Sequence, residues 1–224
     1  MSEELQQSVD QRPRRKGKVR AVLAGCAVLG IGATVTLAAW TDTEWVYGAG
    51  NGDGDPISTS TFEVQQNVFD GEGFVDRETA PGGALVFSPA ATALTPGDTI
   101  TAAMQLQTTL TSDAASITLE GAVLNGSAQP LFDTVTYGAY TGVSQADCDV
   151  QDFADGDVLV PEGSALTVGS DPATPIALAA NAGDLSDICF VITLPDDAPD
   201  TVQGQGIAPA WLFNADSVAP VLIP

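Results

Sequence analysis

Short apolar or alternating runs, separated by turn residues, fill most of the chain after position 57. The first run, Thr61–Phe69, places Phe62, Val64 and Val68 on one face of an extended strand. Turn residues such as Pro96-Gly97-Asp98 separate the runs, and no segment sustains a capped helical period. The pattern therefore predicts strands: Thr61–Phe69, Ala84–Ser88, Thr99–Leu110, Ser116–Leu124, Leu131–Tyr140, Val158–Pro161, Ala165–Val168, Ile188–Leu194 and Ile207–Asn214.

The spacing of these strands predicts an all-β fold. Strands that recur roughly every 10–15 residues are typical of an antiparallel β-sandwich or a jelly-roll-like domain. We assign residues 58–224 to a single such domain, preceded by an N-terminal signal helix. Residues 39–57 form a mature N-terminal segment that ends in a Gly- and Asp-rich linker.

The N-terminal 38 residues have the organisation of an export signal. Six basic residues lie in the n-region, 1–20, and no charged residue lies in the h-region, 21–38. Small residues at the end of the apolar run predict cleavage between Ala38 and Ala39. Two alternatives stay open: an uncleaved membrane anchor, since the run spans about 28 Å as a helix, and lipidation at Cys26.

Charge is distributed very unevenly along the chain. After position 40 there are 26 of the 29 acidic residues but only one of the seven basic residues, Arg77, and the whole chain has no histidine. This body of about 25 net negative charges argues against nucleic acid and anionic membrane surfaces as partners. Without histidine, Ser-His-Asp triads and H-E-x-x-H zinc sites are excluded, whereas carboxylate chemistry and Ca²⁺ binding are not.

Two cysteines are left once the signal is removed. Cys148 and Cys189 form an even pair in an exported body, which predicts a disulfide bond. A catalytic thiol is the alternative, but the chain offers no histidine to generate a thiolate.

An acidic segment of eleven residues is the strongest candidate for a metal site. Ca²⁺ takes six to eight oxygen ligands, which such a segment can supply, although the spacing differs from that of an EF-hand loop. A solvated acidic loop is the alternative, and we expect no other cofactor. The candidate ligands are Asp147, Asp149, Asp152, Asp155 and Asp157.

Aromatic residues at both ends of the mature chain are candidates for interactions. Trp40, Trp45 and Tyr47 lie ahead of the flexible linker and predict a strand that adds to the sheet edge of a neighbouring copy. The alternatives are pairing with the segment's own domain, or disorder. Trp211 and Phe213 share one face of the last predicted strand, where a core position competes with a ligand-stacking role for Trp211.

Several of these stretches resemble one family. "LAAWTDTEW" after the apolar run looks like the signal served by SipW-type signal peptidases, with Ala38, Ala39, Trp40 and Asp42 at the matching positions. "TSTFEVQQNVFDG", "LVFSPAATALTPGDTITAAMQLQT" and "QGQGIAPAWLFNADSV" are similar to body motifs of the TasA/camelysin-like exported proteins, actinobacterial branch. The resemblance implies a β-sandwich, a SipW-type signal peptidase as partner, and a role in matrix fibres. The metalloprotease activity described for some relatives does not carry over, because the zinc-binding residues are absent.

The sequence thus predicts a non-enzymatic structural protein of the cell surface or extracellular matrix, secreted, and self-assembling into an oligomer or fibre through its mature N-terminal segment. The membrane is a partner only if the signal segment is retained. The alternative is a secreted carbohydrate- or protein-binding module or adhesin. A hydrolase that uses paired carboxylates is the third possibility.

Overall fold

The computed structural model describes residues 43–46, 48, 56–89, 91–126 and 128–218. The chain divides into two compact units, residues 1–57 and 58–224. Within the described residues the second unit is an all-β sandwich. Its strands are β1 (Val64–Asn67), β2 (Thr99–Thr108), β3 (Ala114–Leu119), β4 (Val123–Leu124), β5 (Thr136–Thr141), β6 (Asp157–Ala165), β7 (Ile176–Leu178), β8 (Leu185–Thr193), β9 (Pro209–Ala210) and β10 (Phe213–Val218).

The strands form antiparallel sheets. A five-stranded sheet has the order β1-β2-β8-β5-β6, a three-stranded sheet has the order β10-β3-β7, and β4 pairs with β9. Two short helices complete the domain, α1 (Gln129–Thr134) and α2 (Gln145–Asp149), together with a 3₁₀ turn at Asp200–Val202. The predicted sandwich architecture is confirmed.

One apolar cluster lies between the two larger sheets. Alternate residues of β2 and β8 point into it, and residues of β3, β7 and β10 meet them from the other side. In β8 the five consecutive residues Ile188–Ile192 are all buried. A continuous buried run is typical of a strand covered on both faces, and β8 is therefore the centre of the fold.

Several predicted strands have different bounds in the structure. Ala84–Ser88 is not a strand, and only Ser88 pairs there, with Thr101 of β2. The first half of Leu131–Tyr140 is instead α1, because Pro130 occupies the first helical turn, where its fixed φ favours a helix. Strand β7 was not predicted, since three residues are too few to show a periodic pattern.

Other predicted strands are joined or divided. Val158–Pro161 and Ala165–Val168 were predicted as two strands, but β6 runs continuously through Pro161 and Gly163. The pairing of β6 with β5 shifts register twice, and Gly163 has a φ of +80°, so residues predicted as a turn form a bulge. Ser116–Leu124 is divided into β3 and β4, and Ile207–Asn214 into β9 and β10.

Gly121 marks the break between β3 and β4. The neighbouring Glu120 donates its N–H to the Leu212 carbonyl at 2.8 Å, and Ala122 donates to the Leu166 carbonyl at 2.7 Å. A Cβ atom at Gly121 would overlap the backbone of Thr167, the residue after the Leu166 that Ala122 binds. This close approach of two backbones requires glycine.

We predict that Gly121→Ala lowers the free energy of unfolding by about 3 kcal/mol, since a backbone cannot yield as a side chain does. Urea denaturation of the purified protein measures the change. Gly206→Ala is the matched control, because no atom lies within 4 Å of a Cβ placed there. Equal midpoints for the two variants would contradict the close approach.

Candidate interaction surfaces

The outer face of the five-stranded sheet carries the disulfide bond. Cys148 in α2 is bonded to Cys189 in β8, and both residues are fully buried. The Thr101 hydroxyl donates to the Cys148 carbonyl at 2.8 Å, and Val143 and Val191 pack around the bridge. The bond therefore fixes α2 against the central strand. It is compatible with an extracellular protein, because disulfides persist in oxidising compartments.

The five aspartates proposed as calcium ligands lie in more than one element of the fold. Asp147 and Asp149 lie in the short helix α2, and Asp157 begins β6. The alternative to a calcium site was a solvated acidic loop, and the first part of this segment is helical instead. Asp147 accepts a hydrogen bond from Ser144, the N-cap of the helix, at 2.6 Å. The Asp152 carboxylate accepts one from the N–H of Ala154 at 3.2 Å. Among the described residues no group of three or more His, Cys, Asp and Glu side chains is placed to hold a metal ion.

Trp211 packs against the core. Its ring centroid lies 4.8 Å from that of Phe190 and 5.6 Å from that of Tyr137, and Phe213 contacts Phe190 as well. The Tyr137 hydroxyl donates to the carbonyl of Val168. The Trp211 indole N–H is enclosed and has no hydrogen-bond partner within the described part of the chain. These contacts place Trp211 and Phe213 together, as the core interpretation of the sequence expects.

The N-terminal candidates fall mostly outside the described residues. Ala38, Ala39, Trp40 and Tyr47 are not described, and neither is the predicted signal helix at 21–38. Trp45 lies in a stretch without regular secondary structure, and its side chain is exposed. None of the helices that the structure describes has the length and apolar character needed to cross a bilayer.

The sheet edges differ in their capacity to accept another strand. The outer side of β1 is occupied, because Gln66 and Val75 exchange two backbone hydrogen bonds, at 3.0 and 2.9 Å. At the opposite edge, the bulge at Pro161 and Gly163 makes β6 irregular, a feature that disfavours edge-to-edge pairing. By contrast, β10 pairs with β3 over six residues without a register shift. No strand of the described chain pairs with the other side of β10.

The backbone groups that β10 presents outward follow from the ladder. Glu120 donates its N–H to Leu212, whereas the N–H of Leu119 donates to the Ser170 hydroxyl on the opposite side of β3. Successive residues of an antiparallel strand point their backbone groups to alternate sides. Consequently Asn214 and Asp216 bond β3, and the outward N–H and C=O groups belong to Phe213, Ala215 and Ser217.

An amide row lies on the outer face of the five-stranded sheet, in β1, β2 and β8. The Asn67 amide donates to Gln105 Oε1 at 3.0 Å, and Gln105 Nε2 donates to Asp187 Oδ1 at 2.8 Å. The N–H of Phe69 donates to Asn67 Oδ1 at 3.0 Å. Two further amides continue the row, since Gln65 is opposite Gln107 in the register. We use "amide row" for Gln65, Asn67, Gln105, Gln107 and Asp187, all of them half-buried.

The sequence analysis did not predict the amide row. The spacing of its amides did indicate that they share a face: Gln65 and Asn67 are two residues apart in one strand, and Gln105 and Gln107 are two apart in another. The partners of Gln105 lie 38 and 82 residues away along the chain, and only the strand register shows that they meet.

An aromatic pair lies elsewhere on the same outer face. The rings of Tyr140 and Phe153 are stacked with centroids 4.7 Å apart, and the Tyr140 hydroxyl donates to Glu162 at 2.6 Å. Burial raises the pKa of the Tyr140 phenol from 10.0 to about 12, and the hydrogen bond and charge of Glu162 act in the same direction. The Tyr140 phenol therefore stays protonated near neutral pH.

The single cation of the body forms a surface ion cluster. Arg77 Nη2 lies 2.6 Å from Asp70 and 2.8 Å from Glu72. Both carboxylates thus bind the same guanidinium group, and the three side chains hold the turn after β1 together.

The sequence matches no protein-family model, and a search of curated proteins finds no significant relative. The resemblance to the TasA/camelysin-like proteins therefore stays a prediction.

We predict that replacing both Cys148 and Cys189 by alanine lowers the free energy of unfolding by about 4 kcal/mol, the loop-closure entropy expected for a sequence separation of 41 residues. Guanidinium unfolding of the native and doubly substituted proteins gives the difference. The native protein under reducing conditions is the control and should lose a similar amount. A difference below about 1 kcal/mol would show that the bond does not constrain the unfolded chain.

We predict that Glu162→Gln lowers the pKa of Tyr140 from about 12 part of the way toward 10.0, because the negative charge is removed while burial persists. Ultraviolet absorbance of the phenolate follows the titration, and Tyr140→Phe assigns the step. The internal control is Tyr137, whose pKa burial raises to about 12 and which does not contact Glu162. An unchanged Tyr140 step would contradict the role of Glu162.

The raised pKa values of the Tyr137 and Tyr140 phenols make the folded state less stable at high pH. The folded state favours the neutral phenols, so their contribution is complete below pH 10 and is lost as the pH rises from 10.0 to about 12.

Proposed function

We propose that the chain is an exported, non-enzymatic structural protein of the cell surface or extracellular matrix, and that it assembles by strand addition. In this proposal, residues 39–47 of one copy pair with β10 of the next. The regular edge of β10, with its outward backbone groups at Phe213, Ala215 and Ser217, is the observation on which the proposal depends. An added strand satisfies such groups and repeats from copy to copy.

The proposed donor segment is long enough for this edge. Its nine residues extend over about 30 Å, whereas the six residues of β10 cover about 20 Å. The nine residues 48–56 follow, and their Gly- and Asp-rich composition is typical of flexible linkers, for which nine residues span roughly 17 Å. Trp45 and Tyr47 are spaced by two, so both side chains lie on the same face of an added strand.

Export is supported by two independent features. Basic residues, an apolar run and small residues follow one another as in a signal peptide. The buried disulfide suits an oxidising compartment. The resemblance of "LAAWTDTEW" to SipW-type signals, and of the body motifs to TasA/camelysin-like proteins, suggests secretion and a place in the matrix of an actinobacterial cell.

Charge sets the conditions for assembly. Copies that each carry about 25 net negative charges repel one another, and salt shortens the range of that repulsion to about 10 Å at 0.1 M. Assembly should accordingly be favoured by added salt. A donor segment that folds back onto its own β10 instead gives a monomer whose edge is already occupied.

We predict that Ala215→Pro weakens self-association at least about tenfold, since proline removes an outward N–H at the centre of the β10 edge and leaves the bonds to β3 intact. Light scattering after size-exclusion chromatography, together with electron microscopy, measures the association. Deletion of residues 39–47 should have the same effect without changing the β-sandwich.

Ala177→Pro is the matched control for this edge. Ala177 lies at the centre of β7, at the other end of the same sheet, and its N–H also points outward because it is opposite Ser116. The control should associate as the native protein does. The proposal is wrong if the native protein is monomeric at every salt concentration, or if the two proline variants associate equally.

A further inference from the structure

We propose that the amide row binds a neutral carbohydrate. The row is an orderly set of hydrogen-bonding groups, and neither the core nor the proposed strand addition uses it. It lies on the outer face of the five-stranded sheet, whereas β10 belongs to the three-stranded sheet. The inference therefore adds a second surface to the proposed structural role.

The hydrogen bonds within the row fix the orientation of its amides. Asn67 receives the Phe69 N–H and donates to Gln105, which in turn donates to Asp187. Each of these two amides keeps one free N–H, and Asp187 keeps its second carboxylate oxygen, in fixed directions. Groups held in place before binding lose little entropy when a ligand arrives.

The chemistry of the row favours a neutral polyhydroxylated ligand. It combines four uncharged amides with one carboxylate, in a body of about 25 net negative charges that repels anionic ligands. A cation would find too few carboxylates there, since Ca²⁺ requires six to eight oxygens. Sugar hydroxyls donate to carboxylate and amide oxygens and accept from amide N–H groups, which matches what the row offers.

A protein partner fits the row less well. Protein interfaces depend on buried aromatic and apolar residues at their centre. Leu185, opposite Gln107 in the register, is the one large exposed apolar side chain described in the strand positions that flank the row. The surrounding side chains are amides and acids.

Neighbouring elements limit the length of the row. At one end α2 packs against β2 and β8. At the other end the Gln107 amide donates to the Ala182 carbonyl at 3.2 Å. Across β1, β2 and β8 the row measures about 10 Å, and the side chains along each strand are about 7 Å apart. This open platform suits an internal stretch of a polysaccharide chain.

Affinity electrophoresis of the purified protein in gels that contain neutral glucans, mannans, galactans or xylans tests the inference. At least one of these polysaccharides should retard the native protein, and Gln105→Ala should weaken that binding about tenfold, the loss expected for a hydrogen-bonding group at the centre of the row. Gln129→Ala is the matched control, because its amide lies in α1, bonded to Asp133, and should bind normally.

Two variants of Asp187 separate positioning from folding. Asp187→Asn keeps an oxygen that accepts from Gln105 but loses the second carboxylate oxygen, so it should retain part of the binding, whereas Asp187→Ala should lose it. The melting temperatures of all variants show whether each remains folded. Normal self-association of Gln105→Ala keeps this test separate from that of strand addition.

Three results would overturn the inference. They are no retardation by any polysaccharide in the panel, equal binding by Gln105→Ala and the native protein, and a preference for acidic polysaccharides or for proteins over the neutral panel.

Discussion

The burial of β8 on both faces is the constraint on which the rest of the structure depends. Its inner residues meet β10 and Trp211 across the sandwich, where Phe190 contacts Trp211 and Phe213. Its outer face is covered by α2 through Cys189 and Val191. Since β8 pairs with both β2 and β5, a shift of one residue in its register would expose the inner side chains and separate the cysteines.

This arrangement determines where the chain offers surfaces to other molecules. The centre of the sandwich and of the outer face is occupied by apolar contacts and the disulfide. Two of the features that stay at the surface of the described residues are a regular edge in one sheet and the row of amides on the outer face of the other. The two surfaces belong to different sheets, so the proposed strand addition at β10 would leave the amide row accessible to the proposed polysaccharide.

The sequence allowed a good prediction of the central strands and a poorer one of the periphery. Apolar and polar residues alternate in β2, and β8 contains a continuous apolar run. Both patterns predict a strand from the sequence alone. The stretch Leu131–Thr134 is as apolar as a strand, but Pro130 initiates a helix there. The disulfide was predicted because two cysteines, Cys148 and Cys189, are left after the predicted signal. The amide row did not, because hydrogen bonds such as that between Gln105 and Asp187 depend on a register set by the whole core.

The ion cluster around Arg77 has a consequence for proteolysis. Trypsin-like proteases require a lysine or arginine in their specificity pocket, and after position 40 the chain offers them this one residue. Its guanidinium group is already bound by Asp70 and Glu72, and an acidic residue, Glu78, follows it. The same composition that makes the domain so acidic thus leaves trypsin-like enzymes a single candidate peptide bond after position 40, and the arginine at that bond is held by two carboxylates.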